Sequence, residues 1–249
     1  EADYLAALKE TLQFRYHTGA ELKSLRSSKD ALRMARDWSI FLAGSVFKKR
    51  PLLKDPFAVF SAPWFASQLG CQVVITIRHP AAFASSLKRL NLSFDFNDLL
   101  AQPLLMQDHL EPFADEMRKI LQGDPNDIVG QSSLLWRMIY QTVANYRNHY
   151  PQFQIVRHED LSVDPLQGYG ALYERLGLHF TPQAQQSILK SSSSENPAKL
   201  AKNKTHSVRL DSRANLDNWK KILTSEEIAR VRKMTEGVSE FFYSDEEWK

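Results

Sequence analysis

"CQVVITIRHPAAFASSLKRL", residues 71–90, is a run of strand-formers that ends in Arg78, with a proline two residues later. Its apolar part, 72–77, is rich in β-branched residues and reads as a buried strand, while 80–90 carries apolar residues at helical spacing. A strand passing straight into a helix is the building unit of α/β proteins. In such sheets ligands bind beyond the carboxyl ends of the strands, and Arg78 stands at one. Pro80 suits the first helical turn, whose N–H groups and positive dipole end attract anions. A guanidinium there can grip a phosphate through two parallel hydrogen bonds, and the hydroxyls of Ser85 and Ser86 can donate to phosphate oxygens. The stretch also fits an arginine salt-bridged at the sheet edge, with serines that cap or face water. Alone, it leaves both readings open.

Outward from this stretch the pattern repeats. Upstream, 2–15 and 30–47 have helical spacing, "RPLL" (50–53) reads as a short strand running into the turn of "KDPF", and 60–69 reads as a helix. Downstream, 96–149 is mostly helical, broken at Pro103 and at "GDPND" (123–127). "QFQIV" (152–156) is the next strand, and helices follow near 165–176, 182–190 and 224–236. The alternation implies an α/β fold, a parallel sheet flanked by helices. The polar segment 191–215 lies between strong helices and reads as a long functional loop within one domain, residues 1–249.

Lys+Arg number 32 against Asp+Glu 29, a net charge of +3 with the basic residues scattered. That argues against a general nucleic-acid binder and leaves room for a local anion pocket. The single cysteine, Cys71, cannot form an internal disulfide, which favours a reducing, cytoplasmic setting. No apolar run approaches the ~18 residues of a membrane span, no signal-peptide pattern opens the chain, and no Cys/His spacing implies a metal. A start at Glu1 rather than Met points to a trimmed chain.

Four segments, in order, carry a family resemblance. "IRHPAAFASSL" resembles the 3′-phosphate-binding segment of the PAPS-dependent sulfotransferases, in which an arginine ends a strand, a proline follows two residues later and a serine follows eight residues later: Arg78, Pro80 and Ser86. "VRHEDLSVDP" (156–165) is similar to the family's "xYEDLxxDP", with His158 in place of the usual tyrosine. "NWKKILTSEE" (218–227) is similar to its late "W-K-x-x-L/F-T" segment. "LLKDPF" (52–57) resembles the lysine-containing strand-end segment of the tyrosylprotein-type and many bacterial members. The resemblance implies a P-loop-like sulfotransferase fold and transfer of a sulfuryl group from PAPS to a hydroxyl or amine acceptor, releasing PAP. It implies that Arg78 and Ser86 hold the 3′-phosphate, aided by Arg213, and that Lys54 stabilises the leaving group. Ser192 and Ser193, in the loop before Trp219, would contact adenine or a phosphate.

The family's strand–loop–helix for the 5′-phosphate has no counterpart here. "YHTGAEL" (16–22) has one glycine and follows no strand, so the expectation is a domain lacking its first strand–loop–helix. A non-catalytic PAP-binding or interaction module is the alternative. A P-loop kinase relative is a weaker one, since no G-x-x-x-x-G-K-[ST] occurs. For the general base, His17, Glu21, His79 and His109 read as surface or helix residues, and none is assigned. Trp136, Tyr140 and Tyr146 form an aromatic stripe that reads as core. Glu159 and Asp160 read as caps of the following turn. Lys199, Lys202 and Lys204 give the 191–215 loop a basic face, which fits either PAPS attraction or simple solvation. The acceptor would meet 1–47 and 91–130, where nothing identifies it.

Overall fold

β1 (Val74–Ile77) and β2 (Gln154–Arg157) pair in parallel, in a register running from Val74↔Gln154 to Ile77↔Arg157. They belong to a computed structural model that describes residues 2–199 and 207–249. The chain divides into two compact units, Glu1–Cys71 and Gln72–Lys249.

The first unit is helical: α1 (Ala2–Leu12), α2 (Thr18–Ser24), α3 (Ser28–Val46) and α4 (Ala62–Leu69). Ser27 caps α3 by accepting from Asp30 N at 3.2 Å, and the Phe14 and Tyr16 rings stand edge-on to Phe41. Gly70 ends α4 at φ 63°, the left-handed conformation that glycine adopts without a Cβ clash. The strand expected at "RPLL" does not form. Leu52 is 88% exposed, and β1 pairs only with β2 among the described residues. A strand needs a neighbour to complete its ladder, and Pro51 lacks an N–H to offer one.

In the second unit, β1 leads into α5 (Pro80–Leu90), and α6 (Ala114–Gln122) and α7 (Ile128–His149) precede β2. Parallel pairing requires such a long crossover. After β2 come α8 (His158–Val163), α9 (Pro165–Arg175) and α10 (Pro182–Ser192), then α11 (Trp219–Ile222) and α12 (Ser225–Thr235). The break at Pro103 holds: the helix Asn97–Leu100 ends before it, and Pro103 opens the short helix Pro103–Leu105, as its fixed φ permits at a first turn. The break at "GDPND" holds, and Asp127 caps α7 by accepting from Gly130 N at 3.1 Å.

The core of this unit forms where α5 meets α7 and α12. Ala81, Ala82 and Ala84 give α5 a flat face against Val129, Trp219, Leu223, Val231 and Trp248. At the rim, Lys88 pairs with Glu227 at 2.6 Å and Arg230 with Asp127. Trp136 of α7 has no exposed surface, and its Nε1 donates to Arg78 O at 2.8 Å. Tyr140 Oη, one turn on, donates to Thr76 O at 3.3 Å. The aromatic stripe is core, as expected, and it also holds the end of β1.

His79, just before α5, is 4% exposed and not the surface residue expected. Its ring stacks on Trp219 with centroids 5.2 Å apart and meets Tyr243 and Trp248 edge-on at 4.9 and 4.5 Å. Neither ring nitrogen has a hydrogen-bond partner among the described residues. Burial lowers its pKa from 6.5 to about 4, against the opposing pull of Glu247.

Two predictions follow from this packing. Trp136→Ala is expected to cost about 3–5 kcal/mol by urea unfolding. Trp136→Phe keeps most of the apolar contact but leaves Arg78 O unpaired, at about 1–3 kcal/mol. A Phe variant as stable as the parent would show that the Trp136–Arg78 bond contributes nothing. For His79, the unfolded chain binds a proton below about pH 6.5 that the folded chain refuses until about pH 4. Stability is therefore full above pH 6.5 and falls as the pH drops through that window, by on the order of 3 kcal/mol from this group. His79→Phe removes no hydrogen bond and should flatten the acid limb between pH 7 and pH 5. An unchanged limb would place the acid sensitivity elsewhere.

Candidate nucleotide site at the strand ends

Because Ile77 pairs with Arg157, the next residues along the two strands, Arg78 and His158, emerge side by side at the carboxyl end of the sheet. Glu159 follows and links the two strand ends. Its Oε1 accepts from His79 N at 2.8 Å and its Oε2 from Tyr243 Oη at 3.0 Å. Glu159 thus caps the remote helix α5 rather than the following turn, where Asp164 caps α9 by accepting from Gln167 N at 3.1 Å. The positive end of α5 is therefore already faced by a carboxylate, and Pro80 and Ala81 are buried.

Arg78 has its Nε shielded from solvent and without a partner among the described residues. Burial lowers its pKa; the charge of Glu159 and the Tyr140 and Tyr243 hydroxyls oppose this, while the nearby Arg89 cation adds to it. His158 is half-buried, with Nε2 3.4 Å from Ser162 Oγ. Burial and then the Arg78 charge lower its pKa, and Glu159 acts the other way. Burial pushes the Tyr140 hydroxyl up to about 12. Arg157 is held by Glu247, by Phe242 O at 3.1 Å and by the face of the Tyr243 ring, 4.8 Å away.

The polar loop closes onto α8. Ser212 Oγ donates to Ser162 O at 2.9 Å, Ser212 N to Ser192 O at 3.3 Å, and Arg213 Nη2 to Val163 O at 2.5 Å. So α8 gathers Arg78 and His158 at its start, and Ser192, Ser212 and Arg213 towards its end. The sequence-derived residues differ in their freedom. Ser192 Oγ donates to Ile188 O at 2.8 Å, and Ser193 Oγ accepts from Glu195 N at 3.2 Å; both hydroxyls help end α10. Arg213 is exposed, with one donor on Val163 O. Ser86 is half-buried on α5, and its hydroxyl makes no hydrogen bond among the described residues. Arg89 lies three residues on, on the same helical face; that spacing was the signal available for it, and sequence reading passed over it. Lys54 lies exposed in the first unit, in a segment without regular structure rather than at a strand end.

Of the residues weighed as bases, His17 is exposed and paired with Glu10 at 2.9 Å, Glu21 is exposed, His109 is half-buried and His79 is enclosed. Lys199 is exposed, and Lys202 and Lys204 lie outside the described residues. Among the described residues, no cluster of His, Cys, Asp and Glu is arranged for a metal, and no helix is long and apolar enough to cross a membrane.

A search of curated proteins returns no match. Among solved structures, one described as "Sulfotransferase Domain from the Curacin Biosynthetic Pathway" is similar at a TM-score of 0.46 and 16% identity, covering 94% of this chain and 79% of that one. The model of the sulfotransferase domain family matches residues 57–244, well over half of the chain. The chain belongs to the sulfotransferase domain family, whose chemistry is sulfuryl transfer.

Proposed function

We propose that the protein transfers a sulfuryl group from PAPS to a hydroxyl or amine acceptor and releases PAP. The observation that carries this reading is the Arg78 guanidinium at the end of β1, with Nε buried and without a partner among the described residues. A buried donor without a partner costs free energy, and a phosphate oxygen supplies what it lacks. Ser86, with its uncommitted hydroxyl, joins Arg78 on the 3′-phosphate. Arg213 can swing its remaining N–H groups towards the nucleotide while Nη2 rests on Val163 O. Ser192 and Ser193 contribute by shaping the turn after α10, since their hydroxyls are engaged. PAPS, when bound, supplies the sulfuryl group on its 5′-phosphate.

By analogy with phosphoryl transfer, the loose transition state asks the protein mainly for positioning and charge stabilisation. Lys54 carries over from the family resemblance as the cation for the leaving PAP. A reading without catalysis, a PAP-binding module, is motivated by the sequence, in which no Gly/Ser/Thr-rich loop follows a strand to hold the 5′-phosphate. Turnover separates the two readings.

The test is calorimetric titration with PAP, and with AMP as the ligand lacking the 3′-phosphate. PAP is expected to bind about 10- to 100-fold tighter, the worth of one or two charge-assisted hydrogen bonds of about 1.5–3 kcal/mol. Arg78→Ala should erase most of that difference, and Ser86→Ala a smaller part. Equal affinity for PAP and AMP sinks the reading. PAP preference without sulfuryl transfer to any hydroxyl or amine acceptor supports the binding module instead.

A further inference from the structure

We propose that His158 is a titrating contact to the 3′-phosphate, so that PAP is taken up together with a proton. This rests on the reading that PAP docks at Arg78. The parallel register fixes the placement. Ile77 is opposite Arg157, so Arg78 and His158 are the next residues at the two neighbouring strand ends, and the Arg78 charge is felt at the His158 ring. The ring is poorly committed, since the hydrogen-bonding distance to Ser162 Oγ is a long 3.4 Å.

The charged and titratable groups around it, among the described residues, can be named element by element. Arg78 comes from the end of β1, Arg157 from the end of β2, and Glu159 and Asp160 from α8 itself. Tyr140 of α7, Tyr243 of the C-terminal stretch and Arg89 of α5 act on Arg78, Tyr243 also bonds Glu159, and Arg213 of the loop reaches Val163 O at the far end of α8. Arg157 is matched by Glu247 and Asp160. Of the rest, the Arg78 charge pushes His158 towards its neutral form and Glu159 pulls it back.

In the free protein the ring is therefore neutral near neutral pH. A bound dianionic phosphate reverses the local sign and favours the imidazolium, which then donates to a phosphate oxygen. The group's pKa is raised in the complex, so binding takes up a proton and affinity rises as the pH falls. Between about pH 8 and pH 6 the gain is on the order of tenfold. Near pH 6 the 3′-phosphate itself begins to take a proton, and the gain stops.

The experiment is calorimetry with PAP and AMP near pH 7 in two buffers of different ionisation enthalpy, repeated near pH 6 and pH 8. Wild type is expected to take up a measurable fraction of a proton with PAP and none with AMP. His158→Gln and His158→Tyr should both keep the preference for PAP over AMP but lose the uptake and the rise in affinity at low pH. Two variants are used so that misfolding of one, visible by circular dichroism, does not decide the matter. Preference for PAP without proton uptake in wild type, or uptake that survives both substitutions, overturns the role of His158 and leaves the docking of PAP standing. Equal affinity for PAP and AMP in wild type overturns the docking, and this inference with it.

Discussion

The carboxylate of Glu159 is the junction on which the second unit depends. One oxygen takes the N–H that opens α5 and the other takes the Tyr243 hydroxyl, so one side chain from the end of β2 fixes the exit of β1 and the C-terminal stretch. A two-stranded sheet is marginal without packing partners, and these bonds bring them. With α5 set, its alanine face receives Trp219, Val231 and Trp248. With Tyr243 set, the wall of rings around His79 closes. The charge of Glu159 matters equally. It offsets a guanidinium that burial would otherwise leave as an uncompensated interior charge, a strongly destabilising arrangement.

From the other side, α7 completes the grip. Buried tryptophan and tyrosine side chains need partners for their polar ends, and Trp136 and Tyr140 find them in the carbonyls of Arg78 and Thr76. These residues bury apolar area and fix the direction in which β1 delivers its arginine. Positioning of Arg78 is in this sense a by-product of the core: its backbone is held by a tryptophan with no exposed surface.

What the sequence disclosed was local, and what it hid was not. The strand and helix of 71–90, the second strand, the break before α7 and the loop after α10 follow from β-branched runs, proline positions and helical spacing, all contained within a few residues. "RPLL" has strand-like residues but no neighbour to pair with, which no local pattern can reveal. His79 looked exposed because the rings that bury it lie at 219, 243 and 248. Glu159 was read as a cap and is one, but for a helix that begins 79 residues earlier in the chain. At the site, Arg78 was legible because strand ends collect ligands in α/β sheets. The engagement of the Ser192 and Ser193 hydroxyls depends on how α10 ends, and Arg89 gains meaning only once its charge is felt at Arg78.

The carboxylate at the start of α5 has a further consequence for the chemistry. Where an anion rests on free backbone N–H groups, the cradle is fixed and carries no titrating group. Here a carboxylate already holds the start of α5, so an anion near it meets repulsion from Glu159 along with attraction from Arg78 and Arg89. The Arg78 guanidinium is set against the Glu159 carboxylate, while a phosphate carries nearly two negative charges. A side-chain site of this kind gains its second positive charge from whatever neighbour can take a proton, and the parallel register puts an imidazole next to the arginine. Tyrosine at that position could donate a hydrogen bond but could not change the charge. The histidine therefore alters the electrostatics of the strand end in kind, while leaving the fold around it the same.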